Sequence, residues 1–286
     1  MNIKREKMNK NIKITTLVED TAEGNGLHAE HGVSFWIEYG DSKLLFDTGQ
    51  TGIVVKNAEI LGIDLAQADA IVISHGHYDH TGGLEPVLNQ AKKAKLYLHP
   101  DALDKKYSFT GGTSRFIGVA HGIKSIIESH SQTNKVVWTK GPTEIFPGLF
   151  VTGEVPRTND FEIDENEFFL DEKAKKPDIL ADDQSVFFNT ANGLVVIFGC
   201  AHAGLINTLD YVTKISRTDK IYAIIGGMHL IGAKKERIQK VINRLKSLNL
   251  QKIGPAHCTG LKATLEIRQA FPRKCFICSA GTIVEY

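Results

Sequence analysis

Three histidines and an aspartate occur within six residues, inside the stretch Ser74–Gly83 (SHGHYDHTGG). His75 and His77 are separated by one residue, so both side chains can point toward one metal ion where the backbone is extended. Asp79 and His80 follow where the chain turns into a predicted helix, and they can face a second ion beside the first. Imidazole nitrogens and carboxylate oxygens are ligands for zinc, iron and manganese. The spacing therefore indicates a metal centre rather than a polar loop with chance histidines.

Strands and helices are expected on both sides of this motif. The short apolar run Ala70–Ile73 before it is typical of a strand buried on both faces, and the helix Leu84–Gln90 follows it. Three strand patterns precede the motif, at Ile12–Val18, Val33–Glu38 and Lys43–Phe46. Later strands and helices are predicted at Lys95–Leu98, Gln184–Thr190, Gly193–Phe198, Leu205–Ile215, Ile221–Ile225, Lys234–Ser247, Lys252–Ile253, Leu261–Gln269 and Thr282–Glu285. Both halves run from strands into alternating strands and helices, which predicts two packed sheets covered by helices.

The middle of the chain, residues 99–183, shows weaker patterns. We expect one domain over residues 1–286, with this stretch as an inserted, partly loop-like region that includes the acidic segment Asp160–Asp171. It is too long for a simple connection, so we predict that it forms the wall or lid of a substrate pocket. Gly111–Arg115 is either a phosphate-binding loop or a flexible surface loop. Arg115 and Arg157 are candidates to face an anionic substrate group.

Composition excludes several classes of protein. The chain has 286 residues, 42% of them hydrophobic, which is enough for a substantial core. The formal charge is +1 and no long basic run occurs, so neither nucleic acid nor an acidic membrane surface is an expected partner. The basic N-terminus lacks the apolar stretch of a signal peptide, and no run is long enough to span a membrane. These features predict a soluble, cytoplasmic protein; they do not indicate an oligomeric state.

Four cysteines in a chain of this length do not indicate a disulfide scaffold. Cys275 and Cys278 form a single CxxC pair before the predicted terminal strand. A zinc ribbon needs two such pairs, so we interpret these cysteines as small apolar residues.

The histidine motif resembles the main metal-binding motif of the metallo-β-lactamase superfamily, whose fold is an αββα sandwich. Asp47–Gly49 is similar to the first motif of that superfamily, in which the aspartate supports the metal site without binding metal. The resemblance extends over nearly the whole chain. It is closest to the subfamily of 7,8-dihydropterin-6-methyl-4-(β-D-ribofuranosyl)-aminobenzene-5′-phosphate synthase and related metal-dependent hydrolases, through Ala29–Gly32, Ile225–Leu230 and His257–Gly260.

This resemblance implies two divalent cations per chain, with zinc expected and iron or manganese as alternatives. It implies one ligand set of His75, His77 and His202, and a second of Asp79, His80 and His257. Asp79 is then also a catalytic candidate because it would orient the nucleophile. His229 is the candidate that donates a hydrogen bond or proton to the substrate, although a plain strand-end role is equally open.

The sequence departs from the pattern of the superfamily at one strand end. Hydrolases of the superfamily usually place an aspartate there to bridge the two metals, whereas this strand leads into Gly199 and Cys200. The third histidine is also missing from its usual place near Gly153–Arg157. Either His202 replaces it from a new direction, or Glu154 contributes.

The remaining histidines have separate interpretations. His31, in a polar turn before a strand, has either an active-site role or an ordinary one. His99 is expected to have a local structural role. His28, His121 and His130 are expected outside the site.

Three functions remain open at this stage. The leading hypothesis is hydrolysis of an ester, phosphoester, lactone or amide bond through a metal-activated water. The second is a transferase of the pterin type, and the third is a metal-binding protein without catalysis. A redox di-iron protein is disfavoured because that branch has a glutamate where this chain has His77. The sequence contains neither a GxSxG nucleophile motif nor a P-loop lysine motif.

Overall fold

A computed structural model describes residues 11–162 and 168–286. The basic residues 1–10 and part of the acidic segment, residues 163–167, lie outside this description. The strands are β1 (Ile12–Val18), β2 (Ser34–Tyr39), β3 (Ser42–Phe46), β4 (Ala70–Val72), β5 (Lys95–Leu98), β6 (Tyr107–Thr110), β7 (Thr113–Phe116), β8 (Val136–Trp138), β9 (Thr143–Phe146), β10 (Leu149–Val151), β11 (Phe168–Phe169), β12 (Ser185–Thr190), β13 (Gly193–Phe198), β14 (Ile221–Gly227), β15 (Lys252–Ala256) and β16 (Ile283–Glu285). The α-helices are α1 (Ile53–Ile60), α2 (Tyr78–Thr81), α3 (Leu84–Gln90), α4 (His121–Gln132), α5 (Leu205–Ser216), α6 (Lys235–Ser247) and α7 (Gly260–Ala270). Short 3-10 helices lie at Leu65–Gln67, Pro100–Leu103 and His257–Thr259.

Two large sheets contain most of these strands. The first has the order β16-β1-β2-β3-β4-β5-β8, and the second has the order β15-β14-β13-β12-β10-β9. Strands β3, β4, β5 and β8 are parallel to one another, as are β13, β14 and β15. The carboxyl ends of parallel neighbours lie at one edge of a sheet, so loops that follow these strands meet there.

The two sheets pack face to face through a core of fully buried side chains. Phe46 and Ile37 of the first sheet join Phe188 and Ile197 of the second in one cluster. The outer face of the first sheet is covered by α1, α3 and α4, and that of the second by α5, α6 and α7. One cluster lies between the sheets, and one further cluster lies under the helices on each outer face. Because the burial of one large aliphatic or aromatic side chain contributes roughly 1.5–3 kcal/mol, these three clusters supply much of the favourable free energy of folding. The predicted αββα sandwich is confirmed.

The segment at 99–183 is less separate from the sandwich than its sequence indicates. Its strand β8 extends the first sheet, β9 and β10 extend the second, and α4 packs on the first sheet through Ile123 and Ile127. Only the hairpin β6–β7, together with β11, forms a small sheet of its own. The strands β8 to β10 are three or four residues long, so their alternation is too short to recognise in the sequence. Among the described residues, no helix has the length and apolar character needed to cross a membrane.

Candidate metal centre and substrate pocket

The candidate ligands come from both sheets. His75 follows β4 in the first sheet, while Cys200 and His257 follow β13 and β15 in the second. The two edges approach each other so closely at Gly199 that a Cβ there would lie 2.1 Å from Ser74 Oγ. Only glycine fits this position, and the close approach brings donors from distant parts of the sequence together.

The first group of donors is formed by His75, His77 and His202, all of them buried. His75 Nε2 lies 2.9 Å from His77 Nδ1 and 3.2 Å from His202 Nε2. Burial, reinforced by the neighbouring imidazoles, lowers the pKa of His75 well below its ordinary value. Burial lowers the pKa of His77 to about 3. Neutral imidazole is the form that binds metal ions, so this group suits a divalent cation.

The second group is formed by Asp79, His80 and His257. Asp79 Oδ2 lies 3.2 Å from His257 Nε2 and 3.8 Å from His80 Nε2. Burial alone would raise the pKa of Asp79, but the charge of His80 and the hydrogen bond with His257 hold it well below its ordinary value. The carboxylate is therefore ionised and available as a hard oxygen donor.

Cys200 lies between the two groups. Its Sγ is 3.3 Å from His80 Nε2. One set of donor atoms within 4.8 Å of one another joins Cys200 with His75 and His202, and another joins it with His80 and His257. Burial raises the pKa of the Cys200 thiol well above its ordinary value.

Asp47 supports this arrangement from the end of β3. Its Oδ1 accepts the backbone N–H of Ser74 at 2.7 Å, and its Oδ2 accepts the Ser74 hydroxyl at 2.7 Å. The same Oδ2 lies 2.7 Å from His80 Nδ1, which leaves His80 Nε2 to face the donors. Asp47 is fully buried and has a φ of 60°, a conformation that a non-glycine residue adopts only where its surroundings hold it.

Two residues near the N-terminus extend the second group toward the solvent. Asp20 Oδ1 lies 2.8 Å from His257 Nδ1, and His31 Nε2 lies 3.3 Å from Asp79 Oδ2. Glu19 adds a further contact by accepting the backbone N–H of His257 at 2.8 Å. Sequence reasoning missed Asp20 and Glu19. Their only signal was a pair of carboxylates directly after a predicted strand.

A cavity of about 230 Å³ opens above these donors. One wall comes from the small sheet, with Ser108 and Arg115 from the hairpin and Phe168 from β11. The Arg115 guanidinium lies 5.0 Å from the centroid of the Tyr78 ring and also contacts the Tyr78 hydroxyl. The Phe168 ring lies 5.2 Å from that of His77, so an aromatic surface and a cation border the same space.

His229 also lines the cavity, with its ring centroid 6.0 Å from that of Phe168. Its ring centroid lies 4.3 Å from that of His202, and its backbone N–H donates to Cys258 Sγ at 3.4 Å. Its side chain lines the cavity together with Ile231. The structure therefore brings His229 to the site, as it does His31.

Other residues singled out in the sequence lie elsewhere. Glu154 and Arg157 are exposed in the loop after β10, and neither lines the cavity described above.

Gly111 and Gly112 form the exposed tip of the β6–β7 hairpin, so this stretch is a surface turn rather than a phosphate cradle. His99 accepts the backbone N–H of Asp101 at 3.2 Å and caps a 3-10 helix, which is a local structural role.

The CxxC pair is separate from the metal centre. Cys278 is buried, with its Sγ 3.3 Å from Thr16 Oγ1, and Cys275 is half-buried. Within the part of the chain that the structure describes, neither belongs to a group of potential metal ligands.

The donor groups fit divalent cations on a structural criterion. His75 Nε2 lies 2.9 Å from His77 Nδ1 and 3.2 Å from His202 Nε2, so three buried imidazole nitrogens face one another, and a cation between them would accept all three lone pairs. Imidazole, carboxylate and sulfur donors together suit zinc, iron or cobalt.

Comparison with known proteins places these features in a family. A sequence model described as the metallo-beta-lactamase superfamily matches residues 29–212. The chain is 31% identical, over 96% of its length and 97% of the relative, to 7,8-dihydropterin-6-methyl-4-(beta-D-ribofuranosyl)-aminobenzene-5'-phosphate synthase of Methanocaldococcus jannaschii. It is 34% identical to the uncharacterized protein MJ0448 of the same archaeon, over 90% of this chain and 94% of the relative. The crystal structure of Tm1679, described as a metal-dependent hydrolase of the beta-lactamase superfamily, has 30% identity and a TM-score of 0.79, covering 96% of this chain and 99% of that one.

Proposed function

The chain belongs to the metallo-β-lactamase superfamily, and from that premise we propose that it is a metal-dependent hydrolase. The bond cleaved is an ester, phosphoester, lactone or amide of a small molecule. The observation that carries the proposal is that Cys200, which lines the cavity, shares one set of potential ligands with His75 and His202 and another with His80 and His257.

Two cations would be held by side chains from both sheets. The ligands would be His75, His77 and His202 for one cation, and Asp79, His80 and His257 for the other. When bound, such cations lower the pKa of water and polarise the bond that is cleaved.

The protein's own residues would orient the reactants. Asp79 lines the cavity, and its carboxylate would hold the attacking water. His229, which lines the cavity beside His202, would donate a hydrogen bond to the substrate or its leaving group. Phe168 would cover the donors and limit the entry of bulk water.

We further propose that the chain is one domain in which part of residues 99–183 forms the pocket wall. The small sheet of β6, β7 and β11 supports this assignment because Ser108, Arg115 and Phe168 all border the cavity. Arg115 would pair with an anionic group of the substrate, since guanidinium binds carboxylate and phosphate through two parallel hydrogen bonds.

A transferase is the second candidate. It is favoured by the 31% identity to the Methanocaldococcus synthase over nearly the full length of both chains. The aromatic and cationic wall of the cavity is also suited to a flat substrate with an anionic group. In this reaction the carbon or nitrogen of an arylamine would displace a phosphate or pyrophosphate in place of water.

The first test measures metal content and turnover together. His77→Ala and His80→Ala should each contain less zinc, by elemental analysis, than the wild type, and both should lose activity on a panel of ester, phosphodiester and lactone substrates. His121→Ala removes an exposed histidine of α4 and should keep both properties. Unchanged metal content in both ligand variants would contradict the proposed centre.

Isotope labelling separates the two reactions. In ¹⁸O-enriched water a hydrolase incorporates the label into one product, which mass spectrometry detects. A transferase instead forms an unlabelled adduct when an arylamine acceptor is present. A protein that retains two metals and does neither would be a metal-binding protein without catalysis.

A further inference from the structure

We propose that Cys200 binds both cations at once, as a thiolate bridge between the two metal positions. The inference rests on the metal centre of the proposed function and adds a ligand to it. Among the described residues, Cys200 is the only side chain that shares one donor set with His75 and His202 and another with His80 and His257. A sulfur with this placement has access to both cations.

The packing around Cys200 fixes its position. Its side chain is buried, and the residue before it is Gly199, whose close approach to Ser74 and Asp47 leaves no room for a side chain. The next residue, Ala201, has a φ of 56°, so the chain turns sharply away after the sulfur. The sulfur is thus held between the sheets by backbone constraints rather than by a flexible loop.

Cys258 is a second thiol near Cys200, and its contacts differ from those of Cys200. Cys258 also lines the cavity, but its Sγ accepts the backbone N–H of His229 at 3.4 Å and donates to the Cys200 carbonyl at 3.5 Å. It belongs to neither donor set that contains Cys200. Cys258 therefore stabilises the loop that carries His229, and Cys200 is the metal-facing thiol.

A bridging thiolate changes which ions the site prefers. Sulfur is a soft donor that favours zinc, cobalt and iron over manganese and magnesium. Binding converts the thiol to a thiolate and releases its proton to the solvent. We therefore expect zinc to displace manganese from both positions, rather than from one position alone.

Cobalt(II) is the probe for this bridge. Titration of the metal-free wild type with cobalt should give a near-ultraviolet thiolate-to-cobalt charge-transfer band. For a bridge, the band should change during the addition of both the first and the second equivalent. A ligand to one cation would change the band during one equivalent only, and that result would overturn the proposal.

Matched variants identify the sulfur. Cys200→Ser should lose the band, whereas Cys258→Ser should keep it through both equivalents. Loss of the band in Cys258→Ser with retention in Cys200→Ser would identify Cys258 as the thiolate ligand and refute the inference. If Cys200→Ser does not fold, the wild-type titration still decides, because two bound cobalt ions without the band exclude a thiolate ligand. Failure to bind cobalt at all would instead contradict the metal centre itself.

Discussion

Asp47 determines how His80 presents its ring. The carboxylate lies 2.7 Å from His80 Nδ1 and also accepts two hydrogen bonds from Ser74, so it fixes both the strand end and the imidazole. Partners that orient a ligand in this way typically change metal affinity or activity by roughly 10–100-fold when they are mutated.

Asp47→Ala should therefore weaken metal binding by about 10–100-fold, because His80 loses its orienting carboxylate. Competition with a fluorescent zinc chelator measures this affinity. Asp41→Ala is the control, since Asp41 is exposed in the β2–β3 turn. Equal affinities in the two variants would show that Asp47 has no part in holding the site.

At this scale the spacing of residues identified the local part of the site, the family resemblance added distant residues such as His202 and His257, and Asp20 was missed. His75 to His80 stand close together in the chain, so their spacing alone indicates a metal centre. Asp20 and His257 are separated by 237 positions, and their contact exists only after both sheets have packed. Spacing reports neighbours along the chain, and it cannot report a pair that tertiary packing creates.

Lys106, directly before β6, forms a buried ion triad with two aspartates, and this triad connects the hairpin β6–β7 to the loop of the histidine motif. Lys106 Nζ, 1% exposed, lies 2.9 Å from Asp178 and 2.8 Å from Asp182. Asp182 Oδ2 also accepts the backbone N–H of Gly76, which lies between His75 and His77. The hairpin and the loop of the histidine motif therefore share one network of charges and hydrogen bonds.

Lys106→Met should destabilise the fold by about 3–5 kcal/mol, because two buried carboxylates lose their compensating charge. Urea denaturation measures the free energy of unfolding. Lys105→Met changes the preceding residue, which is exposed, and should remain close to wild type. If both variants unfold at the same urea concentration, the buried ion triad contributes no net stability.

Substitution of Arg115 tests whether the pocket wall binds an anionic group of the substrate. Arg115→Gln should raise KM for substrates that carry a carboxylate or phosphate by about tenfold, the equivalent of one lost charged contact of roughly 1.4 kcal/mol, with little change for neutral analogues. Arg157→Gln removes an exposed arginine away from the cavity and is the control. Equal changes for anionic and neutral substrates would contradict a pairing role, and metal content should be unchanged in both variants.

The elements around this wall were the hardest to predict. The helix α4 was not expected, although Ile123, Ile126 and Ile127 have the spacing of one helical face and pack on the first sheet. The helix α6 was predicted nearly to the residue because Ile238, Val241, Ile242 and Leu245 mark one buried face. The strands of the middle segment, β6 to β11, have two to four residues each, which is too short for an alternating pattern to be recognised.

In the whole molecule, the candidate metal centre lies where the two sheets meet, so cations bound there should stabilise the fold. Removing them with a chelator should lower the melting temperature by at least about 5 °C, because a ligand present at 100 times its Kd contributes about 2.7 kcal/mol. Differential scanning calorimetry measures this shift, and added zinc should reverse it. The same treatment should shift His77→Ala much less. An identical melting curve with and without chelator would indicate that the cations do not connect the sheets.

The order of the candidate ligands along the chain is also the order in which they are synthesised. The candidate ligands His75, His77 and His202 have all been made once the chain reaches residue 202, whereas the other proposed set is complete only with His257, 55 residues later (257 − 202). At a synthesis rate of about 5–20 residues per second, this interval lasts roughly 3–11 s. A growing chain could then capture one cation from the cellular pool before the second position exists. The ion that is available during those seconds would become the template on which the remaining strands of the second sheet assemble.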